Sequence, residues 1–153
     1  MSIVEGYTLE PMTGDPDDHR PATRWLPMAD PGDDAGRVDD LVAIVERIGV
    51  GERIPVHIHR SSEVIFVHGP GRARLGETER DVEDGAVVFI PAGVAHGLVN
   101  RGDSSLALEA VFPTSSIWIH YLERNAAPGT EAEAIAPPIT IDVRTGEVTF
   151  DPA

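Results

Sequence analysis

From Leu41 onward the apolar residues come in short, β-branched runs. Leu41-Val42-Ala43-Ile44-Val45 is followed after a Gly turn by Ile54-Pro55-Val56-His57-Ile58-His59. Then come Glu63 to His68, Arg72 to Leu75, Ala86 to Ile90, His96 to Val99 and Leu106 to Phe112. Gly-Pro-Gly, Gly-Glu, Glu-Asp-Gly, Pro-Ala-Gly and Arg-Gly-Asp turns separate them, and no helix-period segment interrupts the series. Short strands with regular turn signals predict an all-β sandwich or barrel. Beyond it, Ser115 or Ser116 can cap a short helix with Ile117, Trp118, Tyr121 and Leu122 on one face. The β-branched residues there keep a strand reading open. Ile139 to Val143, Arg144-Thr145-Gly146 and Glu147 to Phe150 read as a closing hairpin.

The first 37 residues have a different texture. Asp15-Pro16-Asp17-Asp18 and Asp30-Pro31-Gly32-Asp33-Asp34 are turn-forming runs poor in apolar residues. They lack the Gly and closing Glu of a calcium loop and read as solvated acidic loops. Trp25, Leu26 and Met28 are apolar anchors that favour partial ordering. The expected organisation is an acidic arm over 1–37, a barrel over 38–114, and a C-terminal segment over 115–153.

Composition narrows the chemistry. There is no cysteine, lysine or glutamine among the 153 residues, so thiolate metal sites, Cys nucleophiles and Schiff-base chemistry are excluded. Twelve arginines against 26 acids give a net charge of −14. Such a chain repels phosphate backbones and anionic lipid, so neither nucleic acid nor membrane is an expected partner. The N-terminus shows no basic region followed by an apolar run, and a cytoplasmic location is expected.

Candidate chemistry lies with His57, His59, Glu63 and His96. Residues two apart on a strand share a face, so His57 and His59 can grip one ion. Arg60-Ser61-Ser62 turns the chain, and Glu63 then begins a strand on which Ile65 and Val67 share its face. His96, after Pro91-Ala92-Gly93, can add a fourth ligand. Three imidazoles and a carboxylate suit Fe, Mn, Ni, Cu or Zn as the divalent ion. Periodicity alone leaves surface histidines on an exposed strand as an equal alternative.

The string Gly51-x5-His57-x-His59-x3-Glu63-x5-Gly69 resembles the first motif of the cupin family, with its last Gly one residue early. Gly85-x5-Pro91-x-Gly93-x2-His96-x3-Asn100 resembles the second at every marked position. The resemblance implies an all-β double-stranded β-helix, a jelly-roll barrel, over about residues 41–112. It implies that His57, His59, Glu63 and His96 are metal ligands, with Glu63 the catalytic carboxylate, and that Asn100 orders a turn. It also implies a homodimer and a small-molecule substrate bound through oxygen. Inward apolar residues, Ile65, Val67, Leu98 and Phe89, are expected to exclude water. A metal-dependent dioxygenase is the leading expectation. A non-oxidative isomerase, epimerase, dehydratase or lyase, and a non-catalytic metal- and ligand-binding module, are the alternatives. His19, His68, His120, Arg53, Arg72, Arg74 and Glu109 have solvated readings that outweigh functional ones; His68 in particular has the wrong strand parity to face the site.

Overall fold

A computed structural model describes residues 2–33 and 36–151. Thirteen strands and no helix appear among the described residues: β1 (Glu10–Met12), β2 (Arg20–Ala29), β3 (Val42–Ile48), β4 (Arg53–Ile58), β5 (Glu63–His68), β6 (Gly71–Leu75), β7 (Thr78–Val82), β8 (Val87–Ile90), β9 (His96–Asn100), β10 (Leu106–Phe112), β11 (Ser116–Tyr121), β12 (Ile139–Asp142) and β13 (Val148–Phe150). They form a six-stranded sheet, β1-β2-β3-β10-β5-β8, and a seven-stranded sheet, β13-β12-β11-β4-β9-β6-β7. Every pairing between named strands is antiparallel, and the two sheets make the jelly roll.

Alternation builds the core. On β10, Leu106, Leu108, Ala110 and Phe112 are buried while Ala107, Glu109 and Val111 are half-exposed. Val67 and Leu108 meet across the β5–β10 pairing, and both are essentially fully buried. Burying side chains of this size is worth about 1.5–3 kcal/mol each.

Two glycines are required around the second motif, Gly93 at a marked position and Gly97 between His96 and Asn100. Gly93 has φ 76°, a left-handed conformation that side chains disfavour, in the turn that leads into β9. Gly97 is needed for a different reason: a Cβ there would lie 2.9 Å from the Ile54 carbonyl oxygen. It lets β4 and β9 approach beside His96. Asn100 orders its turn as expected. Its Nδ2 donates to the carbonyls of Ile48 (3.0 Å), Gly49 (3.1 Å) and Ser104 (2.8 Å), and its Oδ1 accepts from the Gly102 N–H.

Three local expectations change. Residues 116–121, for which a helix was open, are strand β11, paired with β12 and β4; the β-branched alternation outweighs the cap signal. Asp17 and Asp18, read as solvated, are buried, because Arg124 and Arg20 receive them. Asp34 of the second acidic run lies outside the described residues. Phe89 points outward and is 72% exposed. It pairs with Val64, which has the opposite parity to Glu63, so Val88 and Ile90 take the inward positions. The anchors Trp25, Leu26 and Met28 lie on β2, which pairs along β3 from Arg24↔Arg47 to Ala29↔Val42.

Candidate metal centre

His57 is the penultimate residue of β4, His59 lies just beyond its end, Glu63 opens β5 and His96 opens β9. The β4–β9 register sets His57 opposite His96. All four side chains are buried, and one ligand atom from each lies within 4.8 Å of the others. The two neighbouring histidines, the carboxylate and the distant fourth histidine therefore come together, as the two motifs imply.

The hydrogen bonds fix what these atoms offer. A carbonyl oxygen only accepts, so each imidazole that meets one is the donor. His57 Nδ1 donates to Pro55 O, His59 Nδ1 to Trp118 O and His96 Nδ1 to Val94 O, each at 2.8 Å. The proton of each neutral ring is thus on Nδ1, and three Nε2 lone pairs point inward. His57 Nε2 and His59 Nε2 are 3.0 Å apart. That separation suits two ligand atoms at a right angle around an ion about 2.1 Å from each. Glu63 Oε2 lies 2.9 Å from His96 Nε2 and 3.6 Å from His59 Nε2. The first pair is close but out of hydrogen-bond alignment, and both its atoms are buried without a hydrogen-bond partner. Burial pushes the His57 imidazole well below its ordinary pKa, with His96 and His59 adding to the effect. Burial lowers that of His59 as well. Neutral donors, orphaned lone pairs and one carboxylate fit a divalent cation.

The cluster opens on a cavity of about 390 Å³. Ile44, Ile54, Ile65, Leu98, Phe112 and Ile119 supply apolar wall, and Ile139, Ile141, Val148 and Phe150 of the C-terminal hairpin also line it. A polar group enters the same cavity from β2 and β3. Arg20 forks onto Asp18, Nε to Oδ1 and Nη2 to Oδ2, both at 2.7 Å, and its Nη1 bonds Glu46 Oε1. All three are buried. Burial opposes the Arg20 charge, but Glu46 and Asp18 more than offset this and raise its pKa. Burial raises the Glu46 pKa, although Arg20 pulls the other way. Tyr121 Oη donates to Asp15 Oδ2 at 3.1 Å, and its ring lies 6.0 Å from that of His57.

Glu46 carried a sequence signal that motif reading passed over. Val42, Ile44 and Ile48 share its parity on β3, so a charged residue stands on the apolar face. The other weighed residues do not line the cavity. His68 pairs with Glu109 at 2.5 Å on the outside. Arg72 bonds Glu79 and Asp81, while Arg53 and Arg74 both reach Glu123. His120 stands edge-on to Trp118, and His19 is half-buried beside Asn125, whose carbonyl takes its backbone N–H.

The family profile for the cupin domain matches residues 44–117. No curated protein matches the chain. Among solved structures, it is similar to a cupin-superfamily sugar phosphate isomerase from Silicibacter pomeroyi, with 19% identity, 86% of this chain and 78% of that one covered, and a TM-score of 0.57. An RmlC-like cupin from Shewanella frigidimarina gives 23% identity, coverages of 74% and 89%, and a TM-score of 0.56. A salicylate 1,2-dioxygenase from Pseudoaminobacter salicylatoxidans gives 17% identity over 61% of this chain and 25% of that one, with a TM-score of 0.53. At these identities the likeness establishes the fold. With both motifs, the jelly roll and the family match in hand, the chain is a small cupin, and its His-His-Glu-His cluster can bind a metal ion as cupins do.

Proposed function

We propose that this cupin is a metal-dependent enzyme acting on a small, largely apolar organic substrate that presents oxygen atoms to the cluster. The reaction proposed is a dioxygenation, in which both atoms of O₂ enter the substrate. The observation that carries the reading is the convergence of three unprotonated Nε2 atoms and the Glu63 carboxylate on an apolar cavity. His57, His59 and His96 are the neutral ligands, and Glu63 supplies the single negative charge that leaves a divalent site cationic. When bound, a redox-active divalent ion supplies Lewis acidity and electron transfer to dioxygen. The aliphatic walls exclude water and favour a substrate with an apolar body. The 390 Å³ volume matches a small molecule. The test is oxygen uptake by metal-loaded protein over a panel of catechols, hydroxybenzoates and enolic diketones. Uptake matched by substrate loss supports the reading. Substrate conversion under anaerobic conditions replaces it with a non-oxidative one.

That second reading has its own support, because Glu46 places a second carboxyl group in the cavity. Isomerases and lyases that move a proton beside a polarised carbonyl need such a group. A neighbour of this fold bears the name of a sugar phosphate isomerase and another that of a dioxygenase, so fold alone does not choose between them.

We also infer that two copies pair across the outer face of the six-stranded sheet. Val64, Phe66, Val87, Phe89 and Val111 line an apolar groove there, and β8 is the edge strand on that side of the sheet. A chain of charge −14 repels its own copies over most of its surface. This uncharged strip is where repulsion is least, and a two-fold axis satisfies the edge and the groove together.

A further inference from the structure

The histidine cluster with Glu63 accounts for one polar group in the cavity lining, and a second, formed by Asp18, Arg20 and Glu46, has no part in it. A buried arginine with one carboxylate is a complete ion pair. Arg20 has that pair already, because Asp18 takes Nε and Nη2 in a two-pronged contact. Glu46 is therefore a carboxyl in excess, held by one further bond through Oε1. It extends from β3 between Trp25 on β2 and Leu108 on β10, its register partners, and neither carries a charge. The charged groups that face it are Arg20 and Asp18 from the β2 side and Glu63 from β5.

We propose that Glu46 is the proton acceptor of this cavity: a neutral hydroxylic ligand binds at the histidine cluster as its oxyanion, and its proton passes to the Glu46 carboxylate. The inference rests on the cluster holding a divalent ion. With that ion present, the carboxylates of Asp18, Glu46 and Glu63 are balanced by Arg20 and the cation, Asp17 is balanced by Arg124, and the fully buried set is neutral. An anionic ligand would leave it one negative charge in excess, at a large desolvation cost. Retention of the ligand's own proton removes that excess. In the transfer the ligand O–H bond breaks, its electron pair stays on the ligand oxygen, and an O–H bond forms on Glu46. Asp18 is tied to Arg20 by two bonds, and Glu63 sits among the histidines. Glu46 is held by a single bond from Arg20, and its burial favours the protonated carboxyl. Asp15 also lines the cavity, but it accepts from the Asp17 N–H at 2.8 Å and from Tyr121 Oη, and is less deeply buried.

The probe is benzohydroxamic acid, which is neutral in solution, binds metals through oxygen as its anion and carries an apolar ring. Its binding to metal-loaded protein is followed by calorimetry in buffers of different ionisation enthalpy, which counts protons released. Wild type and Asp15→Asn should release close to none, whereas Glu46→Gln should release about one per ligand, because an amide cannot take the proton. The affinity of Glu46→Gln should accordingly rise about tenfold per pH unit while that of wild type stays nearly level. Infrared difference spectra of the wild type should gain a protonated carboxyl band on binding, a readout that needs no variant. Equal proton release in wild type and Glu46→Gln, absence of that band, or loss of the difference in Asp15→Asn overturns the assignment to Glu46. Metal-loaded protein that fails to bind the probe overturns it as well. Protein that takes up no divalent ion overturns the metal reading itself.

Discussion

His57 and His59 stand Nε2 to Nε2 at 3.0 Å, and each gives its only ring proton to a backbone carbonyl. Two lone pairs held face to face repel each other. The strand register and the carbonyls of Pro55 and Trp118 impose that cost, and a cation between the rings would turn it into binding energy. The donor atoms are thus arranged without an ion, which would lower the ordering cost of binding one.

Metal-free protein should lose stability on acidification. Burial holds His57 and His59 below 6.5, the ordinary histidine value, so the unfolded chain takes up protons first as the pH falls. This term is absent above 6.5 and grows as the pH drops toward the depressed folded values. Glu46 acts in the opposite sense. Its raised folded value makes the folded state keep a proton above 4.5, so its term weakens the fold as the pH rises from there. Glu46→Gln removes the offset, and its melting temperature should fall more steeply between about pH 7 and pH 5 than that of wild type. Parallel curves for the two proteins would contradict this.

Asn100 should be the most demanding polar position of the second motif. It is 4% exposed and bonds four backbone groups. Asn100→Ala leaves those groups unpaired and should cost about 2–3 kcal/mol in urea unfolding. Asn100→Asp should cost more, since a carboxylate would then face three carbonyl oxygens. A loss below roughly 0.5 kcal/mol in both would show that water replaces the side chain.

Arg124 clasps the N-terminal segment. It bonds Asp17 Oδ1, the Pro16 carbonyl at 3.1 Å and the Glu133 carbonyl at 2.7 Å, and Asp17 is 1% exposed. Arg124→Met strands that buried carboxylate and should cost about 3–5 kcal/mol. The double variant Arg124→Met, Asp17→Asn should recover part of the loss. A double variant as unstable as the sum of the two single ones would mean the pair is not coupled.

Phe89→Asp should yield a monomer. The substitution puts a charge in the outer apolar groove and leaves the inward face of β8 unchanged. Light scattering should give twice the 16.4 kDa chain mass for wild type and the single mass for the variant. One mass for both proteins would place any pairing elsewhere.

Periodicity alone left exposed-strand histidines equally open, and the two motifs made the clustering of His57, His59, Glu63 and His96 legible because their spacing is local. A two-residue period sets His57 beside His59, a three-residue turn returns Glu63, and a Pro-Gly turn presents His96. Asn100 could be assigned for the same reason. The burial of Asp17 and Asp18 could not, because it depends on residues distant in sequence: Arg124 lies 107 residues beyond Asp17, Asn125 lies 107 beyond Asp18, and the Glu46 that holds Asp18's near neighbour Arg20 lies 26 beyond it. Composition alone makes a run of aspartates read as solvated. Phe89 was misplaced because the turn before β8 sets its parity, and a slip of one residue exchanges the faces. Glu46 stood in plain view on an apolar face, and only the closed barrel shows that this face lines the cavity.

The central claim is that these four residues hold one divalent ion. Elemental analysis of wild type, His57→Ala and His96→Ala after equal exposure to Fe, Mn, Ni, Cu and Zn tests it most directly. The account predicts about one ion per chain in wild type and affinity lowered at least on the order of 100-fold in each variant, so that both emerge nearly metal-free. Equal metal content in all three proteins, or none in any, would contradict it.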